Sequence, residues 1–177
     1  MIFEETELKG AYLIKPEKHL DERGFFTRTF CKKEFEQHGL NSQVAQCNTS
    51  YNKVKGTFRG MHYQAAPHAE NKMVSCGRGA IWDVIVDLRT DSPSYRKWIG
   101  VELSEENRTI LYVPEGFAHG FLTLHDHTTV LYQMTEFYHP ESACGFRWDD
   151  SQFGITLPQE IVRIADKDMD YQDFAAK

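Results

Sequence analysis

Long apolar runs are missing from this chain. No stretch approaches the roughly 20 consecutive apolar residues that cross a bilayer as a helix, and Glu4, Glu5, Glu7, Lys9 and Lys15 interrupt the first fifteen residues. Neither a membrane span nor a secretory leader is expected. Clusters of positive charge are missing too. With 20 Lys and Arg against 26 Asp and Glu, the formal charge is −6. Nucleic acid and anionic membrane surfaces are held by clustered cations, so neither is an expected partner. Cysteine is sparse: Cys31, Cys47, Cys76 and Cys144 lie far apart without a CxxC pair. That pattern excludes a zinc knuckle and a dithiol redox motif, is too thin for a disulfide scaffold, and predicts reduced thiols and a cytoplasmic location. Internal repeats, low-complexity tracts and Ser/Gly/Pro-rich linkers are also absent. The 177 residues suffice for one hydrophobic core and are expected to form a single domain, 1–177.

Helix signals are scarce. The best is Lys32–His38, a polar run around Phe35 stopped by Gly39, and it predicts a short peripheral helix. Between residues 57 and 138 the sequence breaks into short runs rich in β-branched and aromatic residues, punctuated by Gly, Pro, Asn and Asp. This rhythm predicts an all-β antiparallel barrel or sandwich. The clearest strand is Ala80–Leu88, with Trp82, Val84, Val86 and Leu88 on one face and Asp83 and Asp87 on the other, so one face must be partly polar. Further strands are expected at Gly24–Phe30, Met73–Cys76, Trp98–Leu103, Thr109–Val113, Phe117–Leu124 and Thr128–Tyr138. From Phe153 onward the tail is expected to pack on the barrel through Ile155, Leu157, Ile161, Val162 and Ile164.

Three segments set polar groups inside apolar strands: Arg59-Gly60-Met61-His62-Tyr63-Gln64, Pro114-Glu115-Gly116-Phe117-Ala118-His119-Gly120-Phe121, and Leu131–Tyr138. Polar residues buried in a barrel line a pocket. Alternation would put Tyr132 and Tyr138 on one side of an unbroken strand, whereas Arg59 and His62, three apart, would face opposite sides unless Gly60 marks a bulge. A bulge at Gly60 is therefore predicted. Eight histidines in a β-rich chain invite a metal-dependent oxygenase as one reading. Pro114–His119 resembles the second cupin metal motif, but Tyr63 and Gln64 follow His62 where the first motif would place another His. A site left with two histidines would be weak. His125-Asp126-His127 has ligand spacing but sits in a polar turn, so no metal is expected.

Taken with Asp21-Glu22-Arg23-Gly24-Phe25-Phe26, Gln46-Cys47-Asn48-Thr49-Ser50 and Asp83–Arg89, these segments resemble the dTDP-4-dehydrorhamnose 3,5-epimerase family from about residue 12 to 170. The resemblance implies a cupin-like jelly roll with short peripheral helices and a homodimer with N-terminal strands exchanged. It implies a cofactor-independent epimerisation at C3 and C5 of a nucleotide-linked 4-keto-6-deoxyhexose, in deoxysugar biosynthesis such as that of dTDP-L-rhamnose. Both carbons are alpha to the ketone, so the chemistry needs a base on one face, a cation at the enolate oxygen and an acid on the other face. By resemblance these fall to His62, Lys72 and Tyr132, with Asp168 holding the second nitrogen of His62. Arg23 and Arg59 match positions that bind phosphates or sugar, Gln46, Asn48, His119 and Lys167 match further binding positions, and Tyr138 matches the aromatic that stacks on the base.

One departure bears on the carrier. Arg28 stands where the family has Glu, in the base-binding region. Thymine offers an N3–H to a carboxylate, whereas cytosine offers acceptors at O2 and N3 to an arginine, so a CDP-linked sugar stands beside the dTDP-linked one as an alternative. Two other readings share these residues: a relative that epimerises one carbon or moves the ketone, and a non-catalytic sugar-nucleotide binding module. Retention of His62, Lys72, Tyr132 and Asp168 together speaks against the last.

Overall fold

The computed structural model describes residues 1–175. The chain opens with β1 (Ile2–Glu5), β2 (Tyr12–Lys15), the hairpin β3 (His19–Asp21) and β4 (Gly24–Phe26), and helix α1 (Lys32–Gln37). Then come β5 (Gln46–Asn52), β6 (Phe58–Gln64), β7 (Lys72–Arg78), β8 (Ala80–Asp87), β9 (Trp98–Ser104) and β10 (Ile110–Val113). It ends with β11 (Phe117–Thr123), β12 (Thr128–Met134), β13 (Ala143–Gly145) and α2 (Asp166–Met169). Two antiparallel sheets face each other, one ordered β1-β2-β10-β7-β12-β5 and the other β13-β6-β11-β8-β9. This is the expected all-β jelly roll with short helices outside it.

Three apolar layers hold it together. Between the sheets lie Val74, Leu111, Val113 and Val130 from the first, and Ile81, Ile85, Phe117 and Phe121 from the second. Behind the second sheet, Phe58, Met61, Val84, Val86 and Leu122 are covered by Phe146, Phe153 and Ile155 of the tail. Behind the first, Ile14, Met73 and Ile110 pack against Phe35 of α1. Both faces of the second sheet therefore carry apolar packing. The polar face expected of β8 is the interior one: Asp83 and Asp87 are wholly buried inside the barrel. Asp87 accepts hydrogen bonds from Arg89 Nε (2.9 Å), Arg89 Nη2 (2.7 Å), Ser92 Oγ (2.5 Å) and Ser94 Oγ (2.6 Å). Burial would raise its pKa, but these donors together hold it below the ordinary carboxylate value.

The bulge at Gly60 is present. His62 pairs with His119 while Arg59 pairs with Phe121, so Gly60 and Met61 together oppose Gly120 alone. The extra residue restores Arg59 and His62 to the same side. Only glycine suits the position: its φ is +143°, and a Cβ would lie 2.5 Å from the Cα of Gly120. Gly60→Ala is expected to cost about 2–5 kcal/mol from backbone strain plus overlap, read as a lower midpoint in urea denaturation.

Other expectations need correction. β4 ends at Phe26 rather than Phe30, and β12 ends at Met134 rather than Tyr138. Beyond Met134 the ladder gives way to Asn71, whose N–H donates to Thr135 Oγ1 (2.9 Å) and whose carbonyl accepts from Thr135 N (3.1 Å). Tyr138 consequently leaves the strand. β2, β3, β5 and β13 and the short α2 were not foreseen, and β1, the N-terminal strand that the resemblance implies, pairs with β2 of its own chain; β5 is largely polar and pairs only along one edge, so it has no apolar alternation to betray it. In the tail Val162 faces solvent, while Leu157, Ile161 and Ile164 pack as expected and Phe174 joins them. His125-Asp126-His127 forms the turn between β11 and β12, where Asp126 Oδ1 accepts from Lys55 N at 2.7 Å. All four cysteines are free thiols.

Candidate active site

A cavity of about 460 Å³ opens between the sheets, a size ordinary for a small-molecule site. Nine residues singled out from the sequence line it: His62, Tyr132, Lys72, Asp168, Asn48, Arg59, His119, Tyr138 and Lys167. β6 and β11 supply Arg59, His62 and His119 from one wall, and β5 and β12 supply Asn48 and Tyr132 from the facing sheet. Lys72 begins β7, and α2 of the tail brings Lys167 and Asp168.

Two histidine–carboxylate pairs stand side by side on paired strands. His62 Nε2 donates to Asp168 Oδ1 at 2.7 Å, and the N–H of Gly60 donates to Asp168 Oδ2 at 3.2 Å. The bulge thus shapes the strand and binds the partner of His62 as well. Burial works to raise the Asp168 pKa, but the His62 bond and charge, the Gly60 N–H and Lys167 outweigh it and hold the carboxyl below its usual range. An ionised Asp168 accepts only, which leaves the His62 Nδ1 lone pair available as a base. Beside this pair, His119 Nε2 donates to Asp83 Oδ1 at 2.7 Å. Asp83 is fully buried with its second oxygen unpartnered, and burial raises its pKa against the pull of His119 and Lys72. Asp83 thus holds the orientation of His119.

Tyr132 sits edge-on to His119, with ring centroids 6.1 Å apart, and 6.4 Å from Phe121. Burial among these rings drives its pKa far up, with the Asp83 charge adding to the effect, while Arg59 and Ser50 work the other way. The phenol keeps its proton at all ordinary pH. Arg59 is oriented by Nε donation to Asn52 Oδ1 at 2.8 Å. Lys72 Nζ meets Glu70 Oε1 at 3.0 Å with both side chains buried, and Glu70 Oε2 also accepts from Gln64 Nε2 at 3.1 Å. The ammonium is thereby delivered into the cavity with one fixed partner.

Three singled-out residues stand elsewhere. Gln46 lies just beyond the cavity lining, its Nε2 3.6 Å from Met134 Sδ, next to Asn48 at 3.3 Å from the same sulfur. Arg23 is exposed on the β3–β4 hairpin and pairs with Asp21 at 2.6 Å. Arg28 pairs with Glu34 at 2.8 Å beside α1. Neither arginine lines the cavity of its own chain: Arg23 is engaged by Asp21 and Arg28 by Glu34. Sequence reasoning missed Glu70, Ser50, Cys144 and Tyr171, which also line the cavity. Tyr171 lies edge-on to His62 at 5.9 Å. It lies just past the end of α2, which the sequence does not signal. Nothing local marks Glu70.

A jelly roll whose interior sets an anchored histidine on one sheet and a desolvated tyrosine on the other, with a buried ammonium between, defines a cupin-type carbohydrate epimerase. Comparison with known proteins gives the same result. A model of the family described as dTDP-4-dehydrorhamnose 3,5-epimerase matches residues 5–176. The enzyme of that name from Methanothermobacter thermautotrophicus is 46% identical over 173 residues, covering 96% of this chain and 92% of its own. The Bacillus anthracis enzyme of that name, solved with TDP and PPi bound, superposes with a TM-score of 0.94 at 41% identity, covering 98% of this chain and 99% of its own. The Elizabethkingia anophelis enzyme gives 0.94 at 40% identity, covering 98% and 96%. The chain belongs to the dTDP-4-dehydrorhamnose 3,5-epimerase family.

Proposed function

We propose that this cavity inverts C3 and C5 of a dTDP-linked 4-keto-6-deoxyhexose by stepwise proton transfer, without a cofactor. The observation that carries the reading is the His62–Asp168 pair on one wall facing the protonated Tyr132 on the other. His62 Nδ1 takes the proton alpha to the ketone, and the C–H electron pair moves into the carbonyl to give an enolate. Lys72 meets the charge on the enolate oxygen, an interaction that strengthens as the charge develops. Tyr132 then gives its hydroxyl proton to the opposite face of the carbon, and Arg59, the nearby cation, stabilises the tyrosinate until proton exchange with solvent resets both groups. Arg59 and Lys167 offer cationic partners for the diphosphate and Tyr138, at the mouth, an aromatic face for the base.

The test is incubation with dTDP-4-keto-6-deoxyglucose in deuterium oxide, followed by NMR. Exchange and inversion at both carbons are expected. Exchange at one carbon alone would move the assignment to a single-site epimerase, and no exchange with this substrate but turnover of its CDP-linked counterpart would overturn the carrier. Arg28 is engaged by Glu34 rather than directed at a base, which favours dTDP.

The active assembly is proposed to be a homodimer in which the β3–β4 hairpin carries Arg23 into the partner's cavity. Leu20 and Phe26, 79% and 72% exposed, leave this hairpin apolar and uncovered in one chain. Arg23→Ala and His62→Ala are each expected to be inactive alone, yet a mixture of the two refolded together should regain activity, since one site of the mixed dimer then holds both native residues. Activity of the mixture no higher than that of its parents would place Arg23 outside the partner's cavity and overturn the exchange.

A further inference from the structure

At the rim of the barrel, outside the cavity just described, the loop after β6 and the loop after β12 bring His68, His139 and Glu141 together. Their ligand atoms all fall within 4.8 Å of one another. Glu141 Oε1 lies 3.0 Å from His139 Nδ1 and 4.0 Å from His68 Nε2, so one carboxylate oxygen stands close to a nitrogen of each imidazole. Ligands around a tetrahedral zinc ion, with bonds of about 2.0–2.1 Å, stand roughly 3.4 Å apart. The observed separations bracket that value.

The grouping is built rather than accidental. Gln64, a buried residue closing β6, donates through Nε2 to the carbonyls of His68 (3.0 Å) and Phe137 (3.1 Å), and its Oε1 accepts from the N–H of His139 at 2.7 Å. One buried amide thereby fastens both histidine-bearing loops. The imidazoles stack with centroids 3.5 Å apart and planes within 6°. Parallel rings cannot both aim lone pairs at one ion, so the rings must fan apart to bind. Both are partly exposed and have the room: their side chains are 30% and 29% accessible.

We propose that His68, His139 and Glu141 form a binding site for a divalent transition metal ion, zinc by ligand type, with water completing the tetrahedron. The ion would tie the two rim loops to each other. Because His139 follows Tyr138, which lines the cavity mouth, the same ion would hold the segment that closes one side of the site.

Calorimetric titration of the full-length, tag-free, chelator-treated protein with zinc tests this. One equivalent is expected to bind, weakened at least about tenfold by His68→Ala or His139→Ala, since losing a direct ligand costs no less than losing an outer-shell partner. The binding is expected to persist in His62→Asn. Zinc should raise the thermal midpoint of the native protein and leave that of the double variant His68→Ala/His139→Ala in place. Cobalt should give the visible d–d bands of a four-coordinate ion in the native protein alone. No zinc binding, binding that survives in the double variant, or binding lost with His62→Asn would each overturn the site. Equal metal-free melting midpoints for native and variant proteins would show that the variants fold and that their loss of zinc binding supports the assignment.

Discussion

His62→Ala is expected to abolish deuterium incorporation at both C3 and C5 and to lower kcat by about 10³-fold or more, within the span contributed by a positioned general base. His62 is the proposed base for both carbons because, of the two carboxylate-anchored histidines on its wall, it is the accessible one, 39% exposed against 6% for His119. Asp168→Asn separates anchoring from basicity. The amide keeps the shape, but it neither fixes the tautomer nor stabilises the imidazolium, and kcat is expected to fall by about 10–10² while KM changes little. The same pair predicts an acid limit. Asp168 has a folded pKa below its unfolded value, so its contribution to stability is complete above the ordinary carboxylate range and is lost as pH falls through the lowered folded value. Wild type should therefore lose midpoint more steeply than Asp168→Asn in melts taken toward low pH. Survival of exchange in His62→Ala would transfer the base to another group and end the proposed mechanism.

Tyr132→Phe is expected to uncouple exchange from inversion. The ring stays, so its edge contacts to His119 and Phe121 and the packing of β12 stay with it. Only the proton donor is lost. His62 can still remove the alpha proton and return deuterium to the face it came from, so solvent label should enter the substrate with retained configuration while epimerised product falls by about 10²–10⁴. Complete loss of exchange would show that Tyr132 is needed to form the enolate, and undiminished inversion would show that another group is the acid. The raised pKa favours the uncoupling, because a phenol this desolvated stays neutral until a carbanion demands its proton.

Much of the fold was legible along the chain because its central strands are short, β-branched and punctuated by turns. β7 to β11 came within a residue or two of their expected bounds, and α1 within one. β5 and β13 escaped because one is largely polar and the other only three residues long, and β12 was drawn too long because the end of a ladder is decided by Asn71, distant in sequence. The site divides in the same way. Arg59 and His62 could be placed together only by positing the bulge, whose evidence in the sequence was a single glycine; the bulge is there, and it also gives Asp168 a second donor.

By itself the sequence determined the chemical types: an all-β barrel, a histidine, a lysine and two tyrosines at family spacing, and a carboxylate near the end of the chain. Tertiary structure decided the partnerships. Asp168 sits 106 residues from His62 along the chain, Asp83 36 from His119, and His68 meets His139 across two loops. Such pairs leave no periodic trace, because burial sets their energetics and burial is a property of the packed sheets. For the same reason Arg23 and Arg28, plain in the motif, stand away from the cavity of their own chain: where a hairpin projects is settled by what it packs against, and the exposed faces of Leu20 and Phe26 find nothing to cover them within a single barrel.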